Sequence, residues 1–198
     1  ERRAAADVLA REVDAQAAIA AARCAFDRPD WAQSPRLRQQ VMLNWADRLE
    51  ARADALARLL TLENGKVLAQ SHGEIGAAIS EIRYYAGLTR YIPGHVFEVE
   101  PGVYSTLLKE PAGVAGIIVP WNAPVVLLIR SLTPALAVGC TTLIKPAPQT
   151  ALITAAVIAE LHAVAKLPKG VINLVSELGH DVAQALTTSA GVDVISFT

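Results

Sequence analysis

A chain of 198 residues, 53% hydrophobic and with a formal charge of −1, is long enough to close one substantial core, or a domain with an appendage, and is not a disordered sequence. Near-neutral charge without a basic stripe leaves no footprint for nucleic acid or an anionic membrane surface. Two cysteines far apart, Cys24 and Cys140, exclude a disulfide framework and point to a reducing, cytoplasmic compartment.

Glu1-Arg2-Arg3-Ala4 starts inside a charged helical pattern with no apolar signal core. From Asp14 to Phe26, and again from Arg36 to Thr61, apolar residues recur at helical spacing among Arg, Asp and Glu, which predicts amphipathic helices. Asp30 to Pro35 separates them, with Ser34 as N-cap and Pro35 as the first helical residue. Asn64-Gly65 suits a helix end that needs positive φ. Another helix is expected from about Gln70 to Tyr91. Residues 94–109 change character: Val96, Phe97, Val99, Val103, Tyr104 and Leu107 flank Glu100-Pro101-Gly102, a hairpin pattern.

Val114-Ala115-Gly116-Ile117-Ile118-Val119 is a short apolar run without polar alternation, as in a strand covered on both faces. Pro120 ends it, Pro124 suits a first helical turn, and Gly139 suits the residue past that helix's end. Pro111 to Ile129 holds no charge, but Pro120, Asn122 and Pro124 divide it into pieces too short to cross a bilayer. Thr141–Lys145 is a second strand. A helix over Thr150–Ala165, a turn at Leu167–Gly170, a strand at Val171–Val175, a helix over Gly179–Thr188 and a strand at Val194–Thr198 complete parallel βαβ units with right-handed crossovers. In such units ligands lie outside the carboxyl ends of the strands, beside Trp121-Asn122 and Lys145-Pro146.

Pro120-Trp121-Asn122, Lys145-Pro146-Ala147, Gly170-Val171-Ile172-Asn173-Leu174-Val175 and Val194-Ile195-Ser196-Phe197-Thr198 together, in this order and spacing, resemble the aldehyde dehydrogenase superfamily. The resemblance runs over essentially the whole chain, which is well under half of a family member. It implies an incomplete α/β protein. Residues 1–93 would be the N-terminal helices of a cofactor-binding domain, 94–110 a β-hairpin of an oligomerisation domain, and 111–198 a Rossmann-like parallel βαβ part.

Asn122 is the sharpest chemical candidate. A side-chain amide held at a strand end can donate to an oxyanion forming on an aldehyde carbon, and the resemblance implies that role; the other reading is a helix cap before Pro124. The resemblance also places Val119, Pro120, Trp121, Lys145, Pro148, Gly179, Phe197 and Thr198 at the cofactor, Lys145 reaching the adenine ribose. Family members often carry Glu three residues after this lysine, on the same ribose; Pro148 stands there, so discrimination between NAD and NADP is expected to be modest. Gly179 would admit the backbone of the last helix to the cofactor, and a pyrophosphate could sit at that helix's N-terminus. Glu177, where relatives often have glycine, is compatible with that only if it points away. Tyr84-Tyr85 either flanks a substrate entrance, as the resemblance implies, or packs between helices.

Cys24 and Cys140 lack the family's nucleophile motif and read as inert buried thiols. His72, His95, His162 and His180 show no metal spacing. The implied function is oxidation of a small-molecule aldehyde to an acid with NAD, NADP being possible, through a cysteine thiohemiacetal and thioester. The resemblance implies that the thiolate and a glutamate base follow residue 198, that these residues alone do not oxidise aldehydes, and that the full-length protein is a homodimer or homotetramer. The alternatives are a CoA-acylating semialdehyde dehydrogenase and a non-catalytic nucleotide-binding or assembly fragment.

Overall fold

The computed structural model describes residues 12–198. Helices α1 (Glu12–Phe26), α2 (Pro29–Ala32), α3 (Pro35–Ala51), α4 (Ala53–Asn64) and α5 (Leu68–Leu88) precede an antiparallel hairpin, β1 (His95–Glu100) and β2 (Val103–Leu107). Then follow β3 (Val114–Val119), α6 (Pro124–Val138), β4 (Thr141–Pro146), a 3-10 turn at Pro148–Thr150, α7 (Ala151–His162), β5 (Ile172–Leu174), α8 (Asp181–Thr188) and β6 (Val194–Phe197). Among the described residues the last four strands form one parallel sheet in the order β5-β4-β3-β6. The chain thus winds outward from β3 through β4 to β5, then returns to the other side of β3.

Both faces of that sheet are covered, which explains the unalternating apolar run of β3 and the burial of every residue of β4. Ile117, Val119, Ile144 and Ile172 join the large core that α3 to α7 build around Trp31, Trp45, Leu128 and Leu132. The intervening Ile118 and Leu143 face a smaller cluster with Ala15 and Ile19 of α1 and Val182, Ala185 and Leu186 of α8. The buried indoles are polar-satisfied: Trp31 donates to the Cys140 carbonyl at 3.0 Å and Trp45 to the Val157 carbonyl at 3.1 Å.

The expected caps hold in part. Pro35 and Pro124 open α3 and α6, and Gly65 and Gly139 close α4 and α6 in the left-handed region, with φ of 79° and 104°. Ser34 precedes α3, but its side chain makes no capping bond. The pattern from Arg36 to Thr61 is not one helix: Arg52, at φ −114° and ψ 12°, breaks it without any glycine or proline. Arg52 and Arg48 instead converge on the buried Glu160 of α7. The separator from Asp30 to Pro35 holds the short α2, the helix expected over Thr150–Ala165 ends at His162, and the strand expected over Val171–Val175 narrows to Ile172–Leu174. Cys24 is not a buried thiol as expected. It lies on the solvent side of α1 between the core-facing Ala22 and Ala25, whereas Cys140 is buried.

Burial of Glu160 would push its carboxyl up, but hydrogen bonds from Arg52 and Arg48 outweigh that and hold it below the ordinary carboxylate range. Its contribution to stability is therefore present above the unfolded-state value and lost as pH falls through the lower folded value. Glu160→Gln in the full-length protein should cost about 1–3 kcal/mol at neutral pH, nearer the lower figure because both arginines are half-exposed. It should also make the decline in melting temperature below pH 5 shallower. An acid limb identical to wild type would remove Glu160 from the acid sensitivity.

The hairpin is exposed along its whole length. Val96, Phe97, Val99, Val103, Tyr104, Leu107 and Leu108 are each more than half exposed, far more apolar surface than a lone ribbon carries in water. The 198-residue chain by itself is accordingly expected to self-associate, read by sedimentation velocity. A monodisperse monomer at all concentrations would contradict the prediction.

Candidate functional site

The strand register brings the predicted site residues to one edge. Ile118 pairs with Lys145 and with Phe197, Val119 pairs with Pro146, and the Ala147 amide donates to the Val119 carbonyl at 2.9 Å. β3, β4 and β6 therefore end level, with the Pro120-Trp121-Asn122 loop above the central strand and Phe197-Thr198 beside it. In an open parallel sheet the crevice forms where the strand order reverses; here that is between β3 and β6. Trp121, Asn122, Phe197 and Thr198 are exposed there, while Val119 is buried beneath them.

The loop that carries Asn122 is held from outside. Asn64, the last residue of α4, donates its side-chain amide to the Trp121 carbonyl at 2.6 Å. The first amides of α6, Val125 and Val126, donate to Glu74 of α5 at 2.8 and 3.2 Å. The second Glu74 oxygen is ion-paired with Lys66. Asn122 itself caps nothing: Ala123 occupies the N-cap position, and the Asn122 amide has no protein partner among the described residues. A side-chain amide is thus presented to solvent on a restrained loop at a strand end.

The other crossover helices show the same device. Glu63 of α4 accepts from Leu152 and Ile153 at the start of α7, at 2.8 and 2.7 Å. Glu177 accepts from Val182 and Ala183 at the start of α8, at 2.8 and 3.1 Å. Each carboxylate satisfies orphan N–H groups at the positive end of a helix dipole. This corrects the expectation for α8: Glu177 does not point away, and the amides that a pyrophosphate would use are already bonded to it.

Lys145 also differs from expectation. Its ammonium does not reach into solvent; it is 7% exposed, lies 3.6 Å from the Glu177 carboxylate and 3.5 Å from its own Pro146 carbonyl. Pro148 is exposed in the 3-10 turn after β4. Gly179 is exposed between Glu177 and α8, and a Cβ there would meet no atom within 4 Å. Packing within the described residues therefore makes no demand for glycine at that position.

The two tyrosines differ in exposure. Tyr85 is half-buried against the core and meets Tyr84 edge to face at 5.2 Å, whereas Tyr84 is exposed and lines an open concavity of about 420 Å³ with Ala77, Ser80 and Glu81. Asn64 and Glu74, with Lys66 acting through Glu74, are the positioning residues that the sequence did not disclose, since Asn64 and Glu74 act on residues more than fifty positions away. Among the described residues, no group of His, Cys, Asp and Glu is disposed to hold a metal ion, and no helix is long and apolar enough to cross a membrane.

The family model for the aldehyde dehydrogenase family matches residues 4–198. The chain belongs to that family. It is 41% identical over 191 residues to the putative aldehyde dehydrogenase DhaS of Bacillus subtilis, covering 96% of this chain and 38% of the relative. It is 39% identical over 190 residues to the NADP/NAD-dependent aldehyde dehydrogenase PuuC of Escherichia coli, covering 95% and 38%. Among solved structures, the NAD-dependent aldehyde dehydrogenase of Sinorhizobium meliloti superposes with a TM-score of 0.90 at 34% identity, over 94% of this chain and 38% of that one. Betaine aldehyde dehydrogenase of Staphylococcus aureus in complex with NAD+ gives 0.91 at 35% identity, over 96% and 38%. The α/β architecture, with its parallel sheet and separate hairpin, is thus that of the aldehyde dehydrogenase fold, of which this chain spans about two fifths.

Proposed function

We propose that these residues form the cofactor-binding part of an NAD(P)-dependent aldehyde dehydrogenase that converts an aldehyde to its carboxylic acid. The observation that carries this reading is the level ending of β3, β4 and β6 at the reversal of strand order, with an unpartnered Asn122 amide above the central strand. Family membership supports it, as do the S. aureus relative, described with NAD+, and PuuC, named for both nicotinamide cofactors.

The residues present fit a dinucleotide at the strand ends, where Trp121, Phe197 and the half-buried Pro120 offer an apolar edge over Val119, Thr198 a hydroxyl and Lys145 a cation beside Glu177. They do not fit a phosphate on the α8 amides, because Glu177 fills them. The cofactor, when bound, supplies a nicotinamide ring that accepts hydride. Asn122 donates its amide N–H to the oxygen that becomes negative when a nucleophile adds to the aldehyde carbon. The loop anchors at Asn64 and Glu74 keep that donor from reorganising as charge develops. Gly179, open on the α8 side, would leave room for close approach, and Pro148 would border the cofactor without offering it a charge. The nucleophile and base would come from sequence beyond this chain.

The hairpin of residues 94–110 is read as part of an oligomerisation domain, distinct from the cofactor-binding parts at 1–93 and 111–198, and the full-length protein as a homodimer or homotetramer. Free Cys24 and Cys140 suit a reducing cytoplasm. The test is aldehyde oxidation by the purified full-length protein, followed by absorbance of the reduced nicotinamide. Turnover that requires NAD or NADP is expected; none with a range of aliphatic and aromatic aldehydes would overturn the reading.

A further inference from the structure

Of the three glutamates that close crossover helices, Glu177 is the one that also faces Lys145, 3.6 Å from its ammonium, with both side chains less than a tenth exposed. Glu74 is paired with Lys66 instead, and Glu63 caps α7 with no cation recorded beside it among the described residues. Capping needs only an acceptor oxygen, so the position of the Glu177 charge against Lys145 calls for a further account.

We propose that Glu177 sets the cofactor preference, its carboxylate biasing the site toward NAD and against NADP. The inference rests on the reading of Lys145 as the ribose anchor. An ammonium alone would attract the 2′-phosphate of NADP; an ammonium already paired with a carboxylate presents little net charge. A ribose hydroxyl is neutral and can accept from Lys145 while donating to a carboxylate oxygen, each of which keeps a second lone pair after accepting one helix amide. A phosphate dianion meets the same carboxylate as a like charge, in a site where burial leaves little screening. The carboxylate that Pro148 does not supply from the β4–α7 turn thus arrives from the β5–α8 turn, and the modest discrimination expected from Pro148 alone becomes a preference for NAD.

The test is isothermal titration of NAD+ and NADP+ into the full-length protein, wild type against Glu177→Gln, which keeps one acceptor oxygen for the α8 amides, and Glu177→Ser, which removes both carboxylate oxygens. Wild type should bind NAD+ more tightly, and both variants should move the ratio of dissociation constants toward NADP+ by ten-fold or more. Glu63→Gln, a comparable change at a helix cap without a lysine, should leave the ratio within two-fold. A fall in melting temperature with an unmoved ratio in folded Gln or Ser variants makes Glu177 a helix cap alone and overturns the proposal. Lys145→Met separates this failure from that of the underlying reading. If it weakens both cofactors while the Glu177 variants leave the ratio unchanged, only the assignment of Glu177 falls; if it weakens neither, Lys145 is not the anchor and both readings fall.

Discussion

Asn122→Ala in the full-length protein is expected to lower kcat by about 10²–10³-fold, the usual effect of removing one preorganised oxyanion donor, with little change in cofactor affinity. The expectation depends on what the Asn122 amide does in the folded chain. Were it the cap of α6, the loss would appear as stability, about 1 kcal/mol, and kcat would follow only indirectly. The structure assigns that work elsewhere: Ala123 is the N-cap residue, and Glu74 takes the Val125 and Val126 amides. The loop backbone is pinned separately, through the bond from Asn64 to the Trp121 carbonyl. Alanine at 122 should therefore leave loop and helix in place and remove only the donor. The measurement is steady-state kcat alongside the melting temperature. A kcat within three-fold of wild type would end the oxyanion role, and a large fall in melting temperature would return Asn122 to a structural one.

The features legible in the sequence are those whose causes are local or periodic. Val114–Val119 and Thr141–Lys145 read as strands covered on both faces because neither face could be left to water, and Ile117 and Ile118 do enter opposite cores. Pro35, Pro124, Gly65 and Gly139 declare helix ends because proline's fixed φ and missing N–H, and glycine's ease at positive φ, act wherever these residues stand. Arg52 shows the limit. Nothing between Leu49 and Ala53 disfavours a helix, and the chain breaks there where Arg48 and Arg52 meet Glu160, over a hundred residues away. The carboxylate caps were equally hidden, since Glu63 and Glu74 act across 89 and 51 positions, and the local candidates Ala123, Thr150 and His180 make no side-chain capping bond. Glu177 was conspicuous as a departure from the family pattern, but its direction toward α8 and Lys145 depends on how β5 and α8 meet.

Glu74→Leu should cost about 3–5 kcal/mol, the range for stranding one member of a buried ion pair, and should lower kcat as well. Glu74 is almost wholly buried, and one carboxylate serves two amides of α6 and the Lys66 ammonium, itself largely buried. Leucine leaves all three without a partner in a place where water cannot readily replace the lost bonds. The released amides begin the helix directly after Asn122 and Ala123, so the same change loosens the end of the loop from which the oxyanion donor projects. Adding Lys66→Met removes the stranded charge and should restore part of the lost stability, because replacing both members of a buried pair is mild. It should not restore kcat, since the α6 amides remain uncapped in the double variant. Thermal unfolding and kcat of wild type, the single variants and the double variant distinguish the two effects. Full recovery of kcat in the double variant would show that the stranded lysine, rather than the uncapped helix, had displaced Asn122, and an unchanged melting temperature in Glu74→Leu would remove this cluster from the support of the site altogether.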